Sequence, residues 1–175
     1  MKSLKVAALT LALMASASAF AAQKDITVIA EVDPTLDLLQ SDGSALPQTV
    51  HMNYVPGVGL QPVSIQTKIF TNDIAKNVSM RVAIDPVLAP MTTSTPSTGV
   101  PLAVKYGGKT LSTTPVTFTT AELNFVSNGS TGTPPVASPV GSSQGMPLQI
   151  EQKTRGELPR GNYQGVVSVV LTQAT

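Results

Sequence analysis

The chain has 175 residues, with 11 lysine and arginine residues against 10 aspartate and glutamate residues, one histidine, and neither cysteine nor tryptophan. A near-neutral chain without a basic cluster is not typical of nucleic-acid-binding proteins or of proteins held on membranes by charge. Because thiol and zinc sites need cysteine or several histidines, the composition excludes their usual forms, and we expect no enzyme activity and no cofactor.

The first 21 residues have the three parts of a secretory signal peptide. Lys2 and Lys5 supply the positive region, residues 6–14 form an apolar run, and Ala19-Phe20-Ala21 provides the small residues that precede a cleavage site. The apolar run is too short to span a bilayer. We therefore expect residues 1–21 to be removed during export.

Residues 22–33 contain the first predicted strand. Because side chains alternate between the two faces of a strand, its apolar face would carry Ile26, Val28, Ala30 and Val32. Asp33 and Pro34 end this strand, since proline has no N–H to donate to a ladder.

Short runs of alternating apolar and polar residues follow through the middle of the chain, and no stretch has a convincing helical period. The clearest run has Val78, Met80, Val82 and Ile84 on one face, and another ends in a predicted hairpin at Gly107-Gly108. The remaining predicted strands lie within residues 50–54, 63–69, 102–106, 116–119, 123–126 and 148–152, and residues 89–101 and 127–145 are predicted loops. The series predicts one all-β domain over residues 34–175, an antiparallel sandwich of immunoglobulin type.

The C-terminal segment is a strong predicted strand, and its apolar face would carry Tyr163, Gly165, Val167, Val169 and Leu171. Two arrangements of the terminal strands are open. They pair within one complete sandwich, or the N-terminal strand completes the sheet of a neighbouring subunit by strand addition. Periodicity does not separate these two arrangements.

Several sequence blocks resemble one known family. They are VDPTLDLLQSDGSALP at 32–47, TND at 71–73, DPVL at 85–88, GKTLSTT at 108–114 and GNYQGVVS at 161–168. In these blocks the chain resembles the major pilins of the colonisation factor antigen I class, which also includes cable pilins. These pilins are subunits of the alternate chaperone-usher pathway.

The resemblance implies an immunoglobulin-like domain that lacks one strand. In that arrangement residues 22–33 are a donor strand whose face of Ile26, Val28, Ala30 and Val32 completes the next subunit, with Asp33 and Pro34 as the hinge. The implied partners are identical subunits in a helical homopolymer, a periplasmic chaperone, an outer-membrane usher, a tip adhesin and a host receptor, with no nucleic acid. The implied location is a fimbria, reached through the periplasm.

The alternatives are other exported β-sandwiches. A tip adhesin or a secreted carbohydrate-binding module would present binding loops at one end of the sandwich, and a periplasmic chaperone would share its fold. An adhesin of this pathway would carry a second domain, for which the chain has no room, and a chaperone would carry two domains. The single histidine, His51, is expected on the surface and without a catalytic role.

Overall fold

The computed structural model of the protein describes residues 36–91, 99–127, 130–131, 136–137 and 140–173. The predicted signal peptide, the predicted donor strand with Ile26, Val28, Ala30 and Val32, and the predicted hinge at Asp33 and Pro34 lie outside these residues.

The described residues fold almost entirely into antiparallel β-structure, as predicted. The strands are β1 (Leu36–Gln40), β2 (Tyr54–Val55), β3 (Gly59–Leu60), β4 (Val63–Thr71), β5 (Val78–Val82), β6 (Val87–Pro90), β7 (Val100–Tyr106), β8 (Lys109–Leu111), β9 (Val116–Phe118), β10 (Val126–Ser127), β11 (Ser130–Thr131), β12 (Val136–Ala137), β13 (Gly141–Ser142), β14 (Met146–Gln152), β15 (Tyr163–Gln164) and β16 (Val169–Gln173). The single helix in the described ranges, α1 (Thr120–Leu123), has four residues, so no helix there could cross a membrane.

Two sheets enclose the core. The larger has nine strands and contains the order β10-β13-β4-β14-β7-β6-β15, with β1 on β4 and β8 on β7. The smaller has three strands in the order β16-β5-β9. The prediction of a single C-terminal strand from Tyr163 to Leu171 is wrong: residues 165–168 form no strand, β15 pairs with β6 in the larger sheet and β16 pairs with β5 in the smaller one, so the segment changes sheets. Such changes are typical at the corners of β-sandwiches.

The core is largely aliphatic, and the alternation in β4, β5, β7 and β14 supplies most of it. Tyr106 and Phe118 are its two fully buried aromatic residues, and their rings meet edge to face with centroids 5.2 Å apart. The cluster comprises Leu38, Ile69, Val78, Met80, Val82, Val104, Tyr106, Leu111, Phe118, Leu123 and Leu148. Its members come from both sheets, which makes the fold a sandwich with one shared core.

The two ends of the domain are defined by the strands that meet there. At one end Leu36 of β1 pairs with Thr71, and Gln173 of β16 pairs with Val78. We call this the Gln173 end. The Tyr163 end is the opposite one, where β15 pairs with β6. Because β1 begins at Leu36, the chain before it joins the domain at the Gln173 end.

Several local predictions are wrong in detail. The loops predicted at 89–101 and 127–145 contain parts of β6, β7 and β10 and all of β11, β12 and β13. Leu123 was predicted to begin a strand, but it ends the helix α1, because Thr119 and Glu122 make a reciprocal capping box and Asn124 takes the left-handed conformation that ends the helix. Residues 50–53 form no strand, and β2 begins only at Tyr54. Ile84 lies beyond the end of β5 and is exposed.

The hairpin at Gly107-Gly108 is confirmed. Strand β7 pairs with β8 from Val104 opposite Leu111 to Tyr106 opposite Lys109. Both turn glycines have positive φ, 52° and 85°, a conformation that glycine adopts without a steric penalty.

Candidate functional site

The C-terminal strand β16 lies at an open edge. It pairs with β5 from Val169 opposite Val82 to Gln173 opposite Val78, and no other described strand forms a ladder with it. Among the described strands, the second side of β16 therefore carries no ladder. An edge of this kind is a ready template for strand addition.

Apolar side chains of this segment are only partly buried. Val167, Val169 and Leu171 pack against the buried core, yet each keeps part of its surface exposed. Leu36 of β1, which belongs to the other sheet, has the same partial burial. The two sheets are thus incompletely closed along this side of the sandwich.

A cavity of about 550 Å³ lies at the Tyr163 end and shares Val167 with this row of partly buried side chains. Its floor is apolar, because Leu60, Leu102 and Ile150 are buried core residues of β3, β7 and β14. The full lining is Val50, His51, Met52, Tyr54, Leu60, Leu88, Leu102, Ile150, Leu158, Pro159, Arg160, Gly161, Asn162, Tyr163, Gly165 and Val167. We call this cavity, together with the open edge of β16, the C-terminal groove.

At the Tyr163 end, a close backbone contact holds the segment against β6. A Cβ atom at Gly165 would lie only 2.4 Å from the carbonyl oxygen of Val87, so the strands approach this closely only with glycine here. The Tyr163 hydroxyl donates to the Pro159 carbonyl at 2.9 Å, and the Met91 N–H donates to the Asn162 carbonyl at 2.8 Å.

At the Gln173 end, a side chain fixes the end of β16. The Gln173 amide group donates to the carbonyls of Asp73 at 2.7 Å and Lys76 at 3.3 Å, and its oxygen accepts from the Thr71 hydroxyl at 2.9 Å. These bonds tie β16 to the β4–β5 connection. The C-terminal strand is therefore anchored at both ends, while its second edge stays open.

The floor of the cavity is positioned by the buried Gln152. Its side-chain oxygen accepts from the Leu60 N–H at 2.9 Å, and its amide group donates to the Gly156 carbonyl at 3.4 Å. Gly59 has a φ of 103°, and a Cβ atom there would meet the Gln152 oxygen at 2.5 Å. The contact holds β3 against β14, so that Leu60 lines the cavity.

Five residues predicted for the C-terminal strand are thereby located. Tyr163, Gly165 and Val167 line the cavity, and Val169 and Leu171 follow in β16 and pack on the core. Their role in a subunit contact stays a prediction, as do the roles of Ile26, Val28, Ala30, Val32, Asp33 and Pro34 outside the described residues. His51 is exposed and lies at the rim of the cavity.

The chemistry of the groove suits a contact surface. Among the residues that line the cavity, only His51 and Arg160 have basic side chains, and none has a carboxylate. Within the described ranges, no group of three histidine, aspartate or glutamate side chains is placed to hold a metal ion. An apolar trough with an unpaired strand edge can bind an extended apolar chain.

Most of the lining residues were not singled out from the sequence as site residues, among them the apolar Leu60, Leu88, Leu102 and Ile150. Alternation does predict that Leu102 and Ile150 face inward. It carries no information about which inward-facing residues remain uncovered, because this depends on where the two sheets fail to close.

Comparison with known proteins shows that the chain is similar to one family of fimbrial subunits. The family model described as the CS1 type fimbrial major subunit matches residues 22–172. A CS1 fimbrial subunit of Escherichia coli is 41% identical over 166 residues, covering 93% of this chain and 92% of that protein. A CFA/I fimbrial subunit of Escherichia coli O78:H11 is 41% identical over 157 residues, covering 89% of this chain and 87% of that protein.

A solved structure agrees with this assignment. The CooA pilin subunit from enterotoxigenic Escherichia coli is 38% identical and has a TM-score of 0.67, with 81% of this chain and 89% of that chain covered. These relatives are structural subunits of fimbriae and not enzymes. The chain belongs to the CS1 type fimbrial major subunit family and is a pilin that polymerises with identical subunits into a surface fimbria.

Proposed function

We propose that this pilin is polymerised by donor-strand exchange, in which residues 22–33 of one subunit fill the C-terminal groove of the next. The observation that carries the proposal is the open edge of β16, flanked by the half-buried Val167, Val169 and Leu171. An added strand would satisfy the free backbone groups of that edge and cover these apolar side chains.

The N-terminal segment has the composition that the groove requires. Its alternating face carries Ile26, Val28, Ala30 and Val32, and burial of each larger aliphatic side chain stabilises by about 1.5 to 3 kcal/mol. Twelve extended residues span about 40 Å, and residues 163–173 span about 35 Å. The donor segment is therefore long enough to cover the whole groove.

The connectivity of the domain supports an antiparallel orientation of donor strand and β16. The chain before β1 joins the domain at the Gln173 end. If the donor strand ran parallel to β16, its hinge would lie at the acceptor's Gln173 end, where the acceptor's own N-terminal segment is attached. An antiparallel donor brings its hinge to the acceptor's Tyr163 end, which gives head-to-tail growth of an open filament.

An uncovered groove needs protection before assembly, since unpaired edges pair with one another and aggregate. We propose that a periplasmic chaperone covers the groove after export and that an outer-membrane usher is where the next subunit replaces it. The predicted signal peptide and the family membership support this route. The finished fibre would support adhesion to host surfaces together with a tip adhesin.

Deletion of residues 22–32 tests the mechanism directly. The acceptor groove lies in residues outside the deletion, so the shortened subunit should still be recovered bound to its chaperone. It should form no fibres, because it has no strand to donate. Electron microscopy of the cell surface and co-purification of the subunit with the chaperone measure the two results. Fibres assembled from the shortened subunit alone would contradict donor-strand exchange.

A further inference from the structure

An exposed apolar surface lies beside the C-terminal groove, on the outer side of β6 and the C-terminal segment. Its members keep large exposed fractions: 71% for Val166, 68% for Ile84, 62% for Met91 and 42% for Val87. We call these four residues the β6–β15 patch. A concentration of apolar side chains in one exposed place is typical of an interaction surface.

Backbone contacts place these residues along the same C-terminal segment. The Met91 N–H donates to the Asn162 carbonyl, and the N–H of Ala83, the neighbour of Ile84, donates to the Ser168 carbonyl. Tyr163 pairs with Pro90 and Gln164 with Ala89, and Gly165 lies against Val87 and Leu88. Leu88 lines the groove, so its neighbours along the strand point outward. Val166 is 71% exposed, whereas Gly165 and Val167 on either side of it line the groove.

The patch is continuous with the groove and lies at the Tyr163 end. Under the donor-strand mechanism proposed above, on which this inference rests, the donor's hinge leaves the groove at that same end. The body of the donor subunit must then lie close to β6 and β15. A strand joined to its domain by the short Asp33-Pro34 hinge does not by itself fix the orientation of two subunits.

We propose that the β6–β15 patch is a body-to-body contact, covered in the fibre by a second copy of this chain. The contact is heterologous, because the patch at the Tyr163 end of one subunit meets a different surface of its neighbour. Contacts of that kind build open filaments. Donor-strand insertion would link the subunits, and the patch would limit how they rotate about the hinge.

The test compares two paired variants of the full-length chain, produced with its assembly machinery. Ile84→Lys with Val166→Lys places two like charges in the contact, and we expect about a tenfold lower fibre yield. Val126→Lys is the matched control, because Val126 is 63% exposed and lies on β10 at the opposite end of the larger sheet. The control should assemble normally.

A milder pair, Ile84→Thr with Val166→Thr, should fold normally, since both positions are exposed and threonine retains β-branching. An assembly defect in this pair therefore does not come from misfolding. These fibres should dissociate at a lower temperature than wild-type fibres. A synthetic peptide of residues 22–33, added to each purified full-length subunit, separates the two mechanisms. It should raise the thermal midpoint of the variants as much as that of the wild type.

The results distinguish the contact from the mechanism on which it rests. Unchanged yield and dissociation temperature in both pairs, or a loss matched by Val126→Lys, would overturn the patch contact while leaving donor-strand exchange intact. Loss of the chaperone-bound subunit before assembly would assign the patch to the chaperone and overturn the proposal. A peptide that stabilises neither wild type nor variant would overturn donor-strand exchange, and the patch assignment with it.

Discussion

Two adjacent residues of the predicted donor strand lie on its opposite faces. Val28 belongs to the apolar face and Thr27 to the polar one. Under the proposed mechanism, Val28→Asp replaces an apolar side chain by a carboxylate where the groove offers apolar contacts, and burial of an unpaired carboxylate costs several kcal/mol. We expect this variant to accumulate with its chaperone and to form few or no fibres.

The neighbouring substitution Thr27→Asp is the matched control, since it adds the same charge one residue away on the outer face. It should assemble to near wild-type levels. Fibre yield by electron microscopy and subunit release by heating measure both variants. Equal yields from the two variants would contradict the assignment of the inward face.

Glu122 is a second residue whose environment predicts a measurable effect. The Lys109 ammonium bonds its carboxylate, and the N–H and hydroxyl of Thr119 donate to it as well, so the pKa of Glu122 falls from its ordinary value of 4.5 to about 2. The ionised form therefore stabilises the fold at pH values above 4.5. That stabilisation is lost progressively as the pH falls from 4.5 to about 2.

Glu122→Gln removes the charge and keeps the shape of the capping side chain. Wild type should be more stable than the variant at pH 7, and the difference should vanish as the pH approaches 2. Urea unfolding of both proteins over this range measures it. Because the carboxylate is exposed to solvent, added salt should also reduce the difference. If the difference in stability between wild type and Glu122→Gln did not vary with pH, the ion pair would be excluded as its source.

Among the strands, the pairing of β6 with the C-terminal segment depends on Gly165. Alanine there would place its Cβ atom 2.4 Å from the Val87 carbonyl oxygen, so the strands would have to separate. We expect Gly165→Ala to lower the free energy of unfolding by about 1 to 3 kcal/mol. It should also weaken fibres, because Gly165 and Leu88 both line the C-terminal groove.

Gly145→Ala is the control for this effect, since a Cβ atom at Gly145 would meet no atom within 4 Å and this glycine is not among those with positive φ. Its stability should equal that of the wild type or slightly exceed it. Thermal unfolding of both variants decides the comparison. A Gly165→Ala protein as stable as the control would show that the strands separate at no cost.

At the level of the elements, alternation identified the strands that have one face on the core. Met80 and Val82 of β5 and Val104 of β7 are examples, because a half-buried strand produces this pattern directly. Helix α1 was missed since four residues are too few to show a helical period, although the Thr119 and Glu122 capping box signals its start.

Alternation also failed where the chain leaves the sheet. It predicted that Ile84 continues the buried face of β5, but that strand ends at Val82 and Asp85-Pro86 follows. Proline cannot extend a ladder, so the pattern outlasts the strand. The groove itself was beyond prediction from periodicity, because an uncovered edge such as β16 depends on long-range pairing. Only the family resemblance pointed to a missing strand.

For the whole molecule, the absence of cysteine from the sequence has a structural consequence. Under the proposed donor-strand exchange, a sandwich that lacks disulfides and leaves Val167, Val169 and Leu171 only partly buried would take part of its stability from its neighbour. Under donor-strand exchange, each link in the fibre then stabilises the fold of the subunit it completes. The direction of that link determines how the subunits follow one another.

The antiparallel direction can be tested by engineered disulfides, for which the cysteine-free chain gives no background. Glu31 lies two residues before the predicted hinge, while Gln164 and Thr172 lie at the Tyr163 and Gln173 ends of the acceptor segment. Those two acceptor positions are about 26 Å apart along an extended strand. A disulfide requires Cα atoms within about 7 Å, so one donor cysteine cannot reach both in a single register.

Fibres of the Glu31→Cys, Gln164→Cys chain should therefore form a ladder of covalent oligomers under oxidising conditions, and reduction should abolish it. Fibres of the Glu31→Cys, Thr172→Cys chain should stay monomeric on denaturing gels. The reverse result would establish a parallel donor strand. It would also move the donor's hinge away from the Tyr163 end, and the subunit bodies could then no longer follow one another head to tail.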